Sequence, residues 1–151
     1  MFARWIAVLG LLLLAACERA PQEPRVTVED AVVTVPAAPG APGAAYFRLT
    51  TNNDPTRLVS VASPSAGRIE LHQSRQENGV SRMVEMGRGQ LTFDPDHPLE
   101  FAPGGNHAML FDVDPNILPG TRVALTFTFE PAPPVTVEAE VRGPGQAHEG
   151  H

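Results

Sequence analysis

The stretch RVALTFTF at Arg122–Phe129 alternates apolar and polar side chains residue by residue. Every second residue from Val123 to Phe129 is apolar, and in an extended chain these side chains all point to one side. The alternation predicts a β-strand with one buried face and one solvated face. The run at Val135–Arg142 repeats the pattern, so the end of the chain reads as two neighbouring strands.

Shorter β-rich runs occur throughout the rest of the chain, separated by segments rich in Gly, Pro, Asn and Asp that favour turns. Nine runs are predicted in all: Val26–Val35, Ala45–Thr51, Arg57–Ser63, Arg68–Gln73, Val80–Met86, Leu99–Ala102, His107–Val113, Arg122–Phe129 and Val135–Arg142. This spacing predicts an all-β fold, namely an antiparallel β-sandwich or small barrel of about nine short strands. The 16 prolines and 13 glycines interrupt any long helical pattern and exclude a helical bundle.

Length and charge narrow the class of protein further. The chain has 151 residues, of which 42% are hydrophobic and 19% charged, which suits one ordinary folded domain. Acidic residues outnumber basic ones 17 to 11, and every basic residue is arginine. The formal net charge of −6 would repel a phosphate backbone, so no nucleic-acid partner is expected.

The first 17 residues, MFARWIAVLGLLLLAAC, read as a secretory leader. The apolar run is shorter than the roughly 20 residues that a membrane-spanning helix needs, which favours cleavage. Small residues directly before Cys17 resemble a bacterial lipobox, so Cys17 is predicted to carry lipid and anchor the protein on the periplasmic side of a membrane. The alternative is an ordinary signal peptide with an incidental cysteine.

These features divide the chain into four parts. Residues 1–16 are predicted to be the lipoprotein signal peptide and residues 17–25 a lipid-attached tether. Residues 26–142 are predicted to form a copper-binding β-domain, and residues 143–151 are predicted to be a flexible tail that contains His148 and His151.

Methionine and histidine are concentrated in one part of the chain. Apart from the initiator, all three methionines lie between His72 and Met109, a window that also contains His97 and His107. Thioethers are poor ligands for Zn²⁺, Ca²⁺ or Mg²⁺ but suit Cu(I), and imidazole binds copper in either oxidation state. The cluster therefore points to copper.

Strand geometry selects four of these residues. His107 and Met109 are two apart on a predicted strand and share a face. His72 and Met83 lie on the two arms of a predicted hairpin, and an even-length loop around Gln76–Gly79 places both on one face. Met86 would lie on the opposite face, and only an odd-length loop or a bulge would exchange it with Met83.

The alternative to a metal site is that these side chains only pack. Methionine often fills gaps in cores, so Met83 and Met109 could be core residues, with His72 and His107 as hydrogen-bonded strand residues. Met86 is assigned to packing on this reasoning, and His97, in the turn-like sequence DPDHP, to a turn.

The spacing of the cluster resembles the PCuAC family of periplasmic copper(I) chaperones. That signature is a His, ten residues, a Met, about 21 residues, and then His-X-Met. Here ten residues separate His72 from Met83, and His107-Ala108-Met109 supplies the last part, although 23 residues precede it. Further similar segments are Gly43–Asn53, Ser63–His72, Ala102–Leu110 and Leu125–Glu130.

The resemblance implies a cupredoxin-like fold and one Cu(I) held by His72, Met83, His107 and Met109. It also implies a chaperone, not an enzyme, that delivers copper to a haem-copper oxidase subunit together with a thiol-based copper assembly protein. The alternative is a copper-sequestering or resistance lipoprotein without a dedicated recipient. In the tail, the imidazoles of His148 and His151 and the carboxylate of Glu149, without sulfur, favour Cu(II), so the tail is a second candidate copper site.

Overall fold

The computed structural model describes residues 23–53 and 55–146, which form ten β-strands and one short 3-10 turn at Arg88–Leu91. The strands are β1 (Val26–Thr34), β2 (Gly43–Thr51), β3 (Thr56–Ala62), β4 (Ala66–Glu77), β5 (Val80–Glu85), β6 (Thr92–Phe93), β7 (Leu99–Phe101), β8 (Asn106–Val113), β9 (Arg122–Glu130) and β10 (Val135–Arg142). No helix in this part of the chain is long and apolar enough to span a membrane.

All ten strands belong to one hydrogen-bonded sheet. The order is β5-β4-β8-β2-β1-β10-β9-β3-β6, and β7 also pairs with β2. The sheet is open, with β5 and β6 at the ends of this order, and all pairs are antiparallel except β1 with β10. The predicted all-β class is confirmed, with one more strand than expected and one parallel pair between the first and last strands.

Aromatic side chains show how the sheet folds over itself. Phe47 in β2 stacks on Phe101 in β7 with ring centroids 4.4 Å apart, and meets Phe127 in β9 edge-on at 4.8 Å. Strands β2 and β9 are three places apart in the sheet, which would separate them by about 14 Å if the sheet were flat. Their contact therefore requires the two halves of the sheet to face each other across a shared core.

The alternation in β9 is as predicted. Val123, Leu125, Phe127 and Phe129 are all buried in the core. The residues between them are exposed or half-buried. A half-buried strand with this period can bury its apolar residues in only one register, because a slip of one residue would turn every side chain to the other face.

The β4–β5 hairpin turns through Asn78 and Gly79. Both residues have positive φ, 52° and 78°, as a two-residue type I′ turn requires, and Asn and Gly are the residues that adopt it most easily. The loop is therefore even in length, as predicted. Glu77 pairs with Val80, and the pairing continues without a bulge to His72 and Glu85.

A groove of about 600 Å³ lies between the loop after β1 and the loop after β8. Its walls come from Val35–Ala41 and Asp112–Pro119. Neither segment contains a methionine or a histidine, so this groove is separate from the cluster that the sequence singled out.

Candidate metal centre

Three adjacent strands, β5, β4 and β8, bring the candidate ligands onto one face. His72 in β4 lies directly across from His107 in β8. Met109 lies across from Glu70, two residues before His72. Met83 in β5 lies across from Ser74, two residues after His72. Directly paired residues share a face of a sheet. Met83 therefore lies on the same face as His72, as an even-length hairpin loop predicts.

The two imidazoles are close enough to bind one ion. Their ring centroids are 6.1 Å apart and the ring planes are inclined by 36°. A ring nitrogen lies about 1 Å from its centroid and binds a metal at about 2 Å, so two imidazoles on one ion have centroids up to about 6 Å apart. The observed separation lies at that upper bound.

Hydrogen bonds fix which nitrogen of His107 is free. Nδ1 of His107 lies 3.1 Å from the carbonyl oxygen of Gly105, which can only accept, so Nδ1 carries the proton and donates it. Nε2 then has a free lone pair. That nitrogen is buried and has no hydrogen-bond partner in the described part of the chain.

In His72 the two ring nitrogens have the opposite roles. Its Nε2 lies 3.1 Å from a carboxylate oxygen of Glu70, so Nε2 is the donor and Nδ1 keeps the lone pair. Nδ1 is also buried, with no partner among the described residues. Buried polar atoms normally have a partner, and metal-binding histidines normally donate their other N–H to a carboxylate or carbonyl. Both histidines meet this description of a ligand.

The two methionines stand on either side of His72 and differ in exposure. Each is a diagonal neighbour of His72 across the strands, about 7–8 Å away in a regular sheet and within reach of a long side chain. Met109 is half-buried, whereas Met83, on the edge strand, is 63% exposed. One thioether is therefore held in place, and the other is open to solvent.

Met86 lies on the other face of the ribbon. Its backbone N–H donates to the carbonyl of Leu71 at 2.9 Å, which continues the hairpin register past β5. Its side chain is 7% exposed and belongs to the hydrophobic core. The alternative in which Met86 replaces Met83 as a ligand does not fit this register, and Met86 is a packing residue.

His97 belongs to a turn, as predicted. Its Nδ1 lies 3.0 Å from Asp94, whose carboxylate also accepts the backbone N–H groups of Asp96 and His97. Burial alone would raise the pKa of Asp94, but these hydrogen bonds outweigh it and lower the pKa. His97 is thus explained by the local turn.

Glu70 is a further residue of the site that was not predicted from the sequence. It lies two residues before His72 on the same face of β4, a spacing that could have identified it. Hydrogen bonds from Arg68 and then from His72 lower the pKa of Glu70, so it is a carboxylate at neutral pH. In the described part of the chain, no three His, Cys, Asp or Glu side chains are grouped as a metal site, and the candidate centre therefore depends on thioether ligands.

Three predicted site residues lie outside the described residues. These are the lipidation candidate Cys17 and the tail histidines His148 and His151.

Solved structures with the same fold are PCuAC domains. The copper-bound PCuAC domain from PmoF2 is 23% identical with a TM-score of 0.62, covering 79% of this chain and 93% of that domain. Apo-DR1885 from Deinococcus radiodurans is 25% identical with a TM-score of 0.58, covering 95% and 97%. Its Cu(I) form is 26% identical with a TM-score of 0.52, covering 85% and 83%. The resemblance to PCuAC domains is thereby confirmed.

Two proteins are similar to this chain in sequence. "Uncharacterized protein RP573" of Rickettsia prowazekii is 34% identical over 88 residues, 58% of this chain, and the chain spans 48% of the length of that relative. "Putative lipoprotein Lxx21020" of Leifsonia xyli is 25% identical over 139 residues, covering 91% of this chain and 83% of that protein.

The family match covers most of the chain. Residues 26–141 match the family described as "Putative lipoprotein LpqE-like". This span runs from the first residue of β1 to the penultimate residue of β10. The chain therefore belongs to the LpqE-like lipoprotein family, and its β-domain has the cupredoxin-like fold of PCuAC domains.

Proposed function

We propose that this protein is an extracytoplasmic copper chaperone that binds one Cu(I) through His72, Met83, His107 and Met109. The observation that carries the proposal is the pair of buried imidazole nitrogens that have no hydrogen-bond partner among residues 23–53 and 55–146, on a face flanked by two thioethers. Support also comes from the similarity in fold and sequence to the Cu(I) form of DR1885, at 26% identity.

The donor set suits a monovalent ion. Two thioethers and two neutral imidazoles carry no charge, and sulfur ligands of this kind favour Cu(I) over Zn²⁺, Ca²⁺ or Mg²⁺. No thiolate has to be deprotonated. Outside the cytoplasm, paired cysteines tend to form disulfides, whereas a Met/His site stays available.

The exposure of Met83 favours transfer over storage. A ligand on an edge strand that is 63% exposed can be replaced by a ligand of another protein while the two histidines still hold the ion. Exchange of ligands one at a time makes and breaks only copper–ligand bonds, so the proposed activity is metal transfer and not catalysis. A copper-sequestering or resistance protein is the alternative.

The proposed recipient is the copper centre of a haem-copper oxidase subunit, reached together with a thiol-based copper assembly protein. This part of the proposal is supported by the PCuAC fold of the domain and its resemblance to that family of copper(I) chaperones. Anchoring through lipid on Cys17 at the periplasmic face of a membrane would place the domain beside a membrane-bound recipient. The family description and the name of the Leifsonia relative support the lipoprotein assignment.

We also propose that the tail histidines, His148 and His151, bind Cu(II). Imidazole and the Glu149 carboxylate, without sulfur, favour the oxidised ion. A solvated tail without metal is the alternative, because two histidines make a weak site.

Deletion of the gene separates delivery from sequestration. Delivery predicts that a deletion strain loses most of its oxidase activity and oxidase-bound copper, with unchanged tolerance to added copper. Complementation with the wild-type gene restores the activity, whereas complementation with a His72→Gln, His107→Asn double variant does not. Copper sensitivity with normal oxidase activity would contradict delivery and establish sequestration.

A further inference from the structure

We infer that Glu70 is a positioning residue that orients His72 so that its Nδ1, and not its Nε2, faces the metal. The inference rests on the proposed function, since it concerns how a proposed ligand is prepared. It assigns different ring nitrogens to the two histidines, Nδ1 in His72 and Nε2 in His107.

The carboxylate of Glu70 is held from both sides. One oxygen accepts from Nε2 of His72 at 3.1 Å, and the other accepts from Nε of Arg68 at 2.9 Å. Residues 68, 70 and 72 alternate along β4 and share a face, so the three side chains form a row. A bond to each oxygen restricts rotation of the carboxylate.

Arg68 is itself fixed by β8. Its guanidinium carbon lies 4.0 Å from the ring centroid of Phe111, a cation–π contact, and an Nη lies 4.0 Å from a carboxylate oxygen of Asp112. Phe111 is also the direct cross-strand partner of Arg68. Contacts thus connect His72 to the neighbouring strand β8. They run through Glu70 and Arg68 to Phe111.

This row matters because an imidazole can present either nitrogen. Without an acceptor for Nε2–H, the proton could move to Nδ1, and the tautomer would no longer be fixed. A half-turn of the ring would then also carry Nδ1 to the position of a ring carbon. Partners of this kind behind metal ligands commonly account for 10- to 100-fold in affinity. His107 needs no side chain for this purpose, because the Gly105 carbonyl fixes its tautomer.

Glu85 provides a matched control. It lies directly across from His72 on the other side of β4, on the same face, and is exposed. Glu85→Leu and Glu70→Leu therefore make the same change beside His72, but only Glu70→Leu removes the hydrogen-bond acceptor. Glu70→Gln keeps an acceptor oxygen and tests rescue.

The experiment records ¹⁵N NMR spectra of the histidine side chains in the whole apo protein at slightly alkaline pH, followed by Cu(I) titration. We expect the wild type, Glu85→Leu and Glu70→Gln to show His72 protonated at Nε2, with a slowly exchanging N–H proton. Glu70→Leu should lose that proton signal and bind Cu(I) about tenfold more weakly, with the His107 signals unchanged. Thermal unfolding of each variant checks the fold.

Two results would overturn the inference. One is His72 protonated at Nδ1 in the wild-type apo protein, and the other is Glu70→Leu with the wild-type His72 spectrum and affinity. The tautomer measurement needs no copper, so a wild-type protein that fails to bind Cu(I) would refute the proposed function and leave the role of Glu70 in orienting His72 intact.

Discussion

Replacing His107 by Asn is expected to reduce Cu(I) affinity by more than about 100-fold, since losing even a hydrogen-bond partner behind a ligand costs about 10- to 100-fold. The Asn amide nitrogen can occupy the place of Nδ1 and still donate to the carbonyl of Gly105. Only the metal-facing Nε2 is removed. Affinity is measured by competition with a coloured Cu(I) chelator.

His72→Gln is the complementary change. A Gln amide nitrogen can take the place of Nε2 and donate to Glu70, whereas the metal-facing Nδ1 is lost. We expect an equally large loss of Cu(I) affinity. In each variant, the free energy of unfolding should decrease by no more than about 3 kcal/mol. Wild-type Cu(I) affinity in either folded variant would show that these nitrogens are not ligands.

The methionines provide a second test with a large expected effect. Leucine preserves the approximate volume of methionine but removes the sulfur, so Met109→Leu and Met83→Leu should each weaken Cu(I) binding by about tenfold or more. Both should stay within about 1.5 kcal/mol of the wild-type stability. The effect of Met83→Leu should appear also in the rate of Cu(I) transfer to an acceptor, because Met83 is the exposed ligand.

Met86→Leu is the control for both. Met86 is buried in the core, and its backbone is hydrogen-bonded to Leu71. Its replacement should therefore change the free energy of unfolding only slightly and leave the Cu(I) affinity unchanged. Loss of binding in Met86→Leu, with Met83→Leu unaffected, would show that the wrong methionine has been assigned to the metal.

Much of this arrangement could be predicted from local sequence patterns. The two-residue period of Arg122–Phe129 fixed the buried face of β9, because only one register buries its apolar residues. The parity of the β4–β5 hairpin followed from the even loop predicted at Gln76–Gly79. The structure shortens that loop to Asn78-Gly79, which is also even and leaves the parity unchanged. In each case a short-range rule determines which way side chains point.

Features that depend on distant parts of the chain could not be predicted in this way. The parallel pairing of β1 with β10 joins strands about a hundred residues apart in sequence, and neither strand carries a local signal of its partner. Strand β6 has only two residues, too few for a period to be recognised. Which nitrogen is free in His72 and in His107 depends on the acceptors at Glu70 and Gly105. These hydrogen bonds can be identified only once the backbone and side-chain geometry is known.

X-ray absorption at the copper K-edge of the Cu(I)-loaded protein tests the central claim most directly. The technique counts sulfur and nitrogen neighbours separately, because sulfur scatters more strongly and binds at a longer distance. The account predicts two sulfur and two imidazole nitrogen ligands on one Cu(I) per chain. A first shell of nitrogen and oxygen only, or sulfur without imidazole, would contradict the assignment of His72, Met83, His107 and Met109.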